Sequence, residues 1–215
     1  RSEVFTTRAD TLFGVTFLTL APEHEWVAEI TSDAQRDAVA AYVAQTAQRS
    51  ERDRMSDVSR ISGVFTGAYA IHPITNEKAP IWIGDYVLAG YGTGAVMAVP
   101  CGDQRDFDFA THFKLPIKNI FKDVDVSQAA FSDKEKTVIA NSDFLDGLSY
   151  VDATQKIIEH LGATGMGEGA TTYRLRDAVF SRQRYWGEPI PVYFVAGLPR
   201  LIPEKCLPLE LRSEE

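Results

Sequence analysis

The sequence predicts a mixed α/β fold in which several short strands form a closed or strongly curved sheet with helices packed against it. Five short apolar runs lie between residues 63 and 99, separated by glycine, proline and asparagine turns, and this pattern is typical of strands. Only three segments carry apolar residues at helical spacing. The strands therefore do not alternate with helices, as a doubly wound parallel sheet would require.

Seven strands are predicted along the chain, and five of them lie in the region just described. Their spans are Val4–Thr7, Val15–Leu20, Val64–Thr66, Ala68–Ile71, Pro80–Ile83, Tyr86–Leu88 and Ala95–Val99. Residues 72–78 contain proline and asparagine and are predicted to form a hairpin connection. The close spacing of these short runs favours a curved or closed sheet.

Three helices are predicted from apolar residues three and four positions apart and from polar residues that cap their starts. They run from a capping box at Ser32 and Gln35 to about Ser50, from Asp103 to a stop before Pro116, and from Ser149 to a glycine stop at Gly162. Residues 122–145 are polar and weakly patterned, so we expect a loop or insertion there. Three glycines between residues 165 and 169 predict a flexible joint.

The composition, with 45% apolar and 24% charged residues, is that of an ordinary globular domain. No apolar run approaches the ~18 residues of a membrane span, and the first residues do not form a basic and apolar leader. We therefore expect a cytoplasmic protein without membrane contact. The chain starts without methionine, and a predicted strand follows almost at once, so we interpret it as part of a longer polypeptide.

Cysteine usage and net charge exclude further classes of protein. Cys101 and Cys206 lie far apart, with no other Cys or His at metal-ligand spacing, so neither a zinc site nor a disulfide framework is expected. A net charge of -8 argues against holding nucleic acid by bulk charge. Arginine clusters at residues 49–54 and 174–184 could form local basic faces, but interleaved acids or aromatics favour a salt-bridged surface.

Residues 90–94, Gly-Tyr-Gly-Thr-Gly, do not fit a dinucleotide or phosphate-binding loop. A predicted strand rather than a helix follows them, and their glycine spacing differs from G-x-G-x-x-G. A tight turn, or a wall that a ligand approaches closely, fits this segment better.

Asp103 and Asp106 lie at a predicted strand-to-helix junction. Asp103 is expected to cap the helix, and Asp106 to complement the positive end of its dipole. A carboxylate at this position is expected to stay ionised, so Asp106 could also bind the ammonium group of a ligand. A metal site is not expected, because no His or further acid stands at suitable spacing.

The segment Thr6–Thr11 places three hydroxyls, one arginine and one carboxylate within six residues of a turn. Hydroxyls in turns commonly bond their own backbone. They could also donate to a carbonyl or a ribose, and the arginine would suit a phosphate. The four histidines and two cysteines show no arrangement of nucleophile, base and orienting group.

Three stretches in this order resemble the editing domain that is inserted into bacterial-type leucyl-tRNA synthetase. They are the threonine-rich residues 5–14, the run from Phe65-Thr66-Gly67 through Gly92-Thr93-Gly94 to Asp106, and Tyr173–Gly187. The resemblance spans nearly the whole chain and is weakest over residues 122–145. Isoleucyl- and valyl-tRNA synthetases carry related editing domains and remain an alternative, but residues 174–187 favour the leucyl branch.

The resemblance implies a β-barrel-like editing core with flanking helices. It implies that residues 1–172 form the editing domain and that residues 173–215 re-enter a class I catalytic domain. The H-I-G-H and K-M-S-K-S signatures of that catalytic domain are absent from this sequence. We therefore expect no cofactor and no metal for editing, and we assign ATP and Mg to the missing part. The implied partners are the 3′ end of tRNA(Leu) and the rest of the synthetase in cis, in a monomer.

The resemblance also implies roles for particular residues. Asp106 matches the residue that binds the α-ammonium group, Thr6 and Thr7 lie where the ester carbonyl and its oxyanion need donors, and Asp103 is similar to a water-positioning group. The side-chain pocket would be formed by Thr11, which excludes leucine, together with Tyr91, Met97 and Val99. Arg8 suits the phosphate of the terminal adenosine.

The activity implied is post-transfer editing, in which water attacks the ester of norvalyl-, isoleucyl- or methionyl-tRNA(Leu) with help from a hydroxyl of the terminal ribose. A free-standing editing hydrolase and a non-catalytic module that binds the tRNA end are the alternatives. Two positions depart from the family pattern, Gly102 where histidine is common and Ala178 where tryptophan is common.

Overall fold

The computed structural model describes residues 3–56, 60–90, 92–171 and 191–207. The chain divides into two compact units, residues 1–169 and 170–215. The strands are β1 Phe17–Leu20, β2 Gly63–Ile71, β3 Lys78–Gly84, β4 Ala95–Ala98, β5 Val192–Val195 and β6 Leu198–Leu201. The α-helices are α1 Trp26–Ile30, α2 Arg36–Thr46, α3 Glu51–Ser56, α4 Gln104–Phe113 and α5 Tyr150–Ala163. Short 3₁₀ helices span Ala9–Gly14, Asp33–Gln35, Asp143–Leu145 and Glu204–Cys206.

The first unit is built on an open, mixed sheet of four strands in the order β2-β3-β1-β4. Strand β1 pairs in parallel with β3 and antiparallel with β4, so that Leu18 lies opposite Ile81 on one side and Met97 on the other. Strands β2 and β3 are antiparallel. Strand β4 is an edge of this sheet, and the segment that follows it carries the candidate site.

The expected closed or barrel-like sheet is wrong for the part of the chain that the structure describes. Two predicted strands, at residues 4–7 and 86–88, are missing from the sheet. At the second of them, the guanidinium of Arg54 donates to the carbonyl oxygens of Asp85 (2.7 Å) and Val87 (2.6 Å), which strand pairing would otherwise use. At the first, the hydroxyl of Thr6 accepts the amide N–H of Arg8 in a local turn.

The two strands predicted at 64–66 and 68–71 form one strand, β2, with an irregular register between Phe65 and Tyr69. Gly67 lies at this irregularity with a φ of +82°, and a β-carbon there would lie 2.0 Å from the hydroxyl oxygen of Ser32. Only glycine therefore permits this approach. The predicted capping box at Ser32 is wrong, because that side chain makes no capping hydrogen bond and a 3₁₀ turn precedes α2.

The helix predicted at Asp103 is confirmed. The Asp103 carboxylate accepts the amide N–H groups of Arg105 (2.9 Å) and Asp106 (3.2 Å), and the helix ends at Phe113, before Pro116. Ser149 caps α5 as expected. The predicted stop at Gly162 is wrong, because α5 continues through this glycine to Ala163. The glycine with a left-handed φ (+64°) is Gly165, two residues beyond the end of the helix.

Helices pack on both faces of the sheet, and a third cluster of buried side chains lies beyond its edge. Leu20 and Ile83 pack with Val27 and Val39 on one face, whereas Phe17 stacks on Phe109 of α4 on the other, with ring centroids 5.2 Å apart. The third cluster joins the first 3₁₀ helix to α5 through buried residues of the connecting segment, among them Ile120, Ile139 and Leu145. The segment 122–145, expected to be a loop, therefore contributes to a core.

The second unit contains an antiparallel hairpin of β5 and β6, turned through Ala196 and Gly197 at positive φ. Much of the predicted re-entry segment, including residues 174–187, lies outside the described residues. Within the ranges described, no helix is both long and apolar enough to cross a membrane. The same ranges contain no group of three or more His, Cys, Asp or Glu that could hold a metal ion.

Candidate functional site

A cavity of about 210 Å³ lies between the N-terminal segment, the edge strand β4 and the start of α4. Its lining residues are Phe5, Thr6, Thr7, Arg8, Thr11, Val96, Met97, Val99, Gly102, Asp103 and Asp106. Apart from Tyr91, which lies outside the described residues, every residue predicted for the site contributes to this lining. Segments about 90 residues apart along the sequence thus meet at one edge of the sheet.

Asp106 is a buried carboxylate in the wall of the cavity, and only 6% of the residue is exposed. Its Oδ2 accepts the amide N–H of Val99 at 2.8 Å, and its Oδ1 accepts the hydroxyl of Tyr86 at 3.3 Å. Because each carboxylate oxygen has two acceptor positions, both oxygens keep one for a ligand. The side chain is therefore held in place while remaining able to accept further donors.

Burial, followed by the negative charge of Asp103, raises the pKa of Asp106 to about 7. The hydrogen bonds from Val99 and Tyr86 and the charge of Arg105 act in the opposite direction without overcoming the burial. With a pKa of about 7, Asp106 is not fully ionised near neutral pH, contrary to the expectation that the helix N-terminus keeps it charged. Near neutral pH, the carboxyl is divided between its two protonation states, and a bound cation would favour the ionised one.

Asp103 lies at the rim, where its side chain is exposed and caps α4. One oxygen of this carboxylate serves both capping bonds, to Arg105 and Asp106. The other oxygen makes neither of these bonds and can accept a donor from solvent. Asp103 thus combines a structural bond with an acceptor that faces the cavity.

Thr11 is 2% exposed and belongs to the part of the cavity lining that the N-terminal segment contributes. Its hydroxyl donates to the carbonyl oxygen of Arg8 at 2.8 Å. A β-carbon placed at Gly102 would lie 3.8 Å from the Thr11 methyl group, so these two lining residues are close neighbours. The Thr11 hydroxyl is bound to the backbone, which leaves the methyl group as the part of this side chain available for apolar contacts.

The hydroxyls of Thr6 and Thr7 line the same cavity. Thr6 Oγ1 accepts the amide N–H of Arg8 at 3.0 Å, which leaves its own hydrogen available for donation. Thr7 is exposed at this point of the segment. The pair can therefore offer two donors close to the mouth of the cavity.

Arg8 is held by a carboxylate that the sequence predictions did not include. Its Nε and Nη2 donate to Oδ1 and Oδ2 of Asp10 at 2.9 and 2.8 Å, and its guanidinium lies 5.2 Å from the ring centroid of Tyr150. Asp10 is fully buried. The Arg-x-Asp spacing in a turn was the sequence feature that could have indicated this ion pair. Three guanidinium N–H groups of Arg8 are not used by Asp10 and remain for a ligand.

Met97 and Val99 form the apolar wall, and both are buried. Phe5, Val96 and Gly102 line the cavity too, although the sequence predictions gave them no role in ligand contact. A β-carbon at Gly102 would meet Phe121 and Val99 at 3.5 Å, an ordinary contact distance. Glycine is therefore not required at this position by the packing, and it leaves free space in the cavity.

Among the described residues, the cavity lining contains no cysteine, serine or histidine. Cys101 is adjacent in sequence but completely buried, and burial raises the pKa of its thiol to about 11. A thiol in this state supplies little thiolate near neutral pH. None of the four histidines belongs to the cavity lining. The chemistry available consists of a carboxyl group, hydroxyls, a guanidinium and backbone N–H groups.

A family model described as "Leucyl-tRNA synthetase, editing domain" matches residues 1–162. The chain belongs to this family. The resemblance inferred from the motifs is thereby confirmed, and the cavity lies within the matched part of the editing domain.

Relatives of this editing domain are much longer proteins. Leucine--tRNA ligase from Christiangramia forsetii is 68% identical over 212 residues, which are 99% of this chain and 22% of the relative. The enzyme from Flavobacterium johnsoniae is 64% identical over 218 residues, 99% of this chain and 23% of the relative. The chain therefore spans less than a quarter of the relatives' length.

A solved structure supports the same family. The crystal structure of the ternary complex of Agrobacterium radiobacter K84 agnB2 LeuRS with tRNA and LeuAMS matches with a TM-score of 0.59 and 35% identity. The match covers 95% of this chain and 22% of the crystallised one.

Proposed function

We propose that this editing domain hydrolyses the ester bond of tRNA(Leu) carrying norvaline, isoleucine or methionine. The observation that carries the proposal is Asp106, a buried carboxyl in the wall of a cavity that Thr6 and Thr7 also line. An aminoacyl ester has an ammonium group one carbon from the reacting carbonyl. A carboxylate and a pair of donors facing one cavity suit those two groups.

The ammonium group would be bound by Asp106 in its ionised form. An opposite charge at hydrogen-bond distance lowers the pKa of a carboxyl, so binding would draw the side chain from its half-protonated state into the charged one. An unprotonated amine or an uncharged analogue would lack this interaction. Substrate binding would therefore select the ester of an α-amino acid.

The hydroxyls of Thr6 and Thr7 would donate to the ester carbonyl as negative charge develops on its oxygen. Donors aimed at a developing oxyanion are among the largest contributions to hydrolytic catalysis. Water would be the nucleophile, with Asp103 and a hydroxyl of the terminal ribose helping to place it. The deeply buried Cys101 thiol gives no support to an acyl-enzyme, and trapping one during turnover would contradict this mechanism.

Specificity would come from steric exclusion of leucine by Thr11, Met97 and Val99, with Tyr91 expected nearby. A difference of one methyl group in a binding pocket is worth only ~1–3 kcal/mol, which is too little for a synthetic site to reject these amino acids alone. Thr11 lines the cavity and its hydroxyl bonds to the backbone, so its methyl group would act as the filter for the branched end of leucine. Arg8, with the N–H groups not used by Asp10, would contact the phosphate of the terminal adenosine.

The ligase reaction for which the relatives are named would belong to parts of the enzyme that this chain does not cover. Synthesis of leucyl-tRNA, with its ATP and Mg, would belong to the rest of a longer enzyme. Editing itself would need no cofactor. The partners proposed are the 3′ end of a mischarged tRNA(Leu) and, in cis, the remainder of the synthetase.

The deciding experiment compares hydrolysis of norvalyl-tRNA(Leu) and leucyl-tRNA(Leu) by the domain at high concentration. We expect loss of the norvalyl species alone, and Asp106→Ala should abolish that loss while the circular-dichroism spectrum stays unchanged. Binding of norvalyl-tRNA that Asp106→Ala removes, with no hydrolysis even in the full synthetase, would instead indicate a non-catalytic module. Normal hydrolysis by the variant would refute the ammonium site.

A further inference from the structure

Tyr86 lies in the turn that follows β3 and does not line the cavity, but its hydroxyl contacts the carboxyl group of Asp106. The oxygen of this hydroxyl is 3.3 Å from Asp106 Oδ1 and 2.9 Å from the hydroxyl oxygen of Thr19. Thr19 lies on β1 and is completely buried. Three side chains from three different elements therefore form one hydrogen-bonded chain that ends at Asp106.

The Tyr86 ring is fixed by its neighbours. It packs against Phe109 with ring centroids 5.6 Å apart, and the guanidinium of Arg105 lies 5.9 Å from its centroid. A β-carbon at Gly84 would lie 2.8 Å from an edge atom of the same ring. Because the ring cannot shift easily, the position of its hydroxyl is set by the fold rather than by the ligand.

The chain of hydroxyls can run in either direction. A hydroxyl has one hydrogen to donate and can accept as well. When Asp106 is ionised, Thr19 donates to Tyr86 and Tyr86 donates to the carboxylate. When Asp106 is protonated, its hydroxyl can donate to Tyr86, and Tyr86 then donates to Thr19. Rotation of two hydroxyl hydrogens is enough to keep both contacts of the Tyr86 hydroxyl in either state.

We infer that Tyr86 is a positioning residue for editing, and that with Thr19 it holds the Asp106 carboxyl in one orientation through both the empty and the ligand-bound state. The inference rests on the proposed function in one respect, that an ammonium group binds to Asp106. Tyr86 itself does not line the cavity, so it acts through Asp106 and not on the ligand.

The charged and titratable groups that face Asp106 come from three directions. Asp103 and Arg105 lie on the same helix start and act with opposite signs on Asp106. The connection after β3 contributes Tyr86, whose own pKa is held well above its usual range by burial and by the charge of Asp106. Across the cavity, the N-terminal segment contributes Arg8, which is paired with Asp10. Among these, Tyr86 alone changes its hydrogen-bond direction with the state of Asp106.

The test uses two variants that should move the titration of Asp106 in opposite directions. In Tyr86→Phe, the ionised carboxylate loses a charge-assisted donor, so the pKa of Asp106 should rise. In Thr19→Val, the Tyr86 hydrogen loses its alternative acceptor and stays directed at Asp106, where an ionised carboxylate accepts it more strongly than a neutral carboxyl, so the pKa of Asp106 should fall. If Tyr86 and Thr19 had merely structural roles, the two variants would not shift the pKa of Asp106 in opposite directions.

The titration is read without any tRNA, from the ¹³C resonance of the Asp106 carboxyl group between pH 5 and 9. Turnover of norvalyl-tRNA is then measured over the same range. If the pKa rises by about one unit in Tyr86→Phe, the ionised fraction at pH 7 falls from about one half to about one tenth, and kcat/KM falls roughly fivefold. The kcat value should change less, because the bound ammonium group restores the ionised state.

Tyr42→Phe is the matched control, because the Tyr42 hydroxyl also makes two hydrogen bonds, with Ser62 and with the amide of Asp85, and neither reaches the cavity. It should leave the Asp106 titration unchanged. Shifts of opposite sign in the two variants support the inference, whereas no shift in Tyr86→Phe, or the same sign in both, overturns it. Opposite shifts without hydrolysis by the unaltered domain would refute the proposed function and leave the hydroxyl chain standing.

Discussion

At Asp106, the burial that shapes the cavity also makes a negative charge costly. The pKa of this carboxyl is about 7 in the folded domain, against 3.8 as its ordinary value. Because the folded state holds this proton more tightly than the unfolded state, the contribution of Asp106 to stability is greatest at low pH. It is lost progressively as the pH rises from about 4 to about 7. Above pH 7, the buried charge costs up to about 4 kcal/mol.

Asp106→Asn should therefore stabilise the domain while removing its proposed activity. The amide can accept from the Val99 N–H with its oxygen and donate to Tyr86 with its nitrogen, because the Tyr86 hydroxyl can turn to Thr19. We expect a gain of roughly 1–4 kcal/mol in the free energy of unfolding at pH 8, shrinking toward pH 4. Urea denaturation at both values measures it. A stability gain that is the same at both values would contradict the burial of a charge.

Thr11 offers a second test at this scale, because its two branches face different partners. Its hydroxyl bonds to the carbonyl oxygen of Arg8, and its methyl group lies near Gly102, another residue of the cavity lining. If the methyl group excludes leucine, Thr11→Ser should allow hydrolysis of leucyl-tRNA, with discrimination falling by about tenfold, the equivalent of 1.4 kcal/mol. Thr11→Val should retain discrimination and lose some stability. Deacylation assays with norvalyl- and leucyl-tRNA distinguish these outcomes, and the reverse pattern would assign the filter to the hydroxyl.

At the scale of elements, the start of α4 brings Asp103 and Asp106 to the cavity by a mechanism that is visible in the sequence. The capping bond of Asp103 is local, and an Asp followed by an apolar helical pattern predicts it without knowledge of the fold. The open sheet was not predictable in this way. The carbonyls of Asp85 and Val87 are bound by Arg54, more than 30 residues earlier in the chain. A β-rich sequence pattern does not reveal such a partner.

Asp103→Asn separates the two effects of this residue. Asparagine caps helices about as well as aspartate, so the unfolding temperature should stay nearly constant. Loss of the negative charge should lower the pKa of Asp106, because Asp103 raises it. The acid limb of kcat/KM for norvalyl-tRNA should then move to lower pH. Asp108→Asn on the exposed side of α4 is the control. An unchanged acid limb in Asp103→Asn would show that the charge of Asp103 is screened.

Substitution of Arg54 tests its long-range contact with the carbonyl groups of Asp85 and Val87, where a strand was predicted at residues 86–88. The residue is 4% exposed, donates to two carbonyl groups and pairs with Glu23. Arg54→Met should cost about 2–4 kcal/mol in the free energy of unfolding, because two buried carbonyls lose their donors. Arg52→Met, at an exposed position on the same helix, should cost little. Equal losses in the two variants, measured by chemical denaturation, would remove the structural role given to Arg54.

For the molecule as a whole, the site was easier to predict than the architecture. Thr6–Thr11 and Asp103–Asp106 are short local motifs, and a family resemblance carries their relative positions even where spacing alone does not. Asp10 and Tyr86 were missed because their importance depends on contacts with Arg8 and Asp106. The contact between Tyr86 and Asp106 leaves no periodic or spaced pattern in the sequence, whereas the Arg8–Asp10 pair is marked only by its Arg-x-Asp spacing in a turn. The connection at 122–145 was missed as a core segment, because its few buried apolar residues are separated by polar ones.

Net charge and the cavity lining together predict how salt should affect the proposed binding of a tRNA end. The chain carries a net charge of -8, and Arg8 is the one cationic side chain among the described residues of the cavity lining. Affinity for a single-stranded 3′ end falls with a slope of about 0.7 in log salt for each phosphate contact. One or two contacts would therefore weaken the binding roughly three- to sevenfold between 50 and 200 mM salt.

We expect the isolated domain to show this shallow salt dependence with norvalyl-tRNA and almost none with 3′-O-norvalyl-adenosine, which has no phosphate. Charge reversal in Arg8→Glu should raise KM for the tRNA substrate more than for the adenosine ester, although the loss of the Asp10 pair will lower stability in both assays. KM values measured at the two salt concentrations provide the test. A steep dependence would mean that the domain presents a larger phosphate-binding surface than the cavity lining accounts for. Equal dependence for both substrates would place the effect of salt on the fold and not on tRNA recognition.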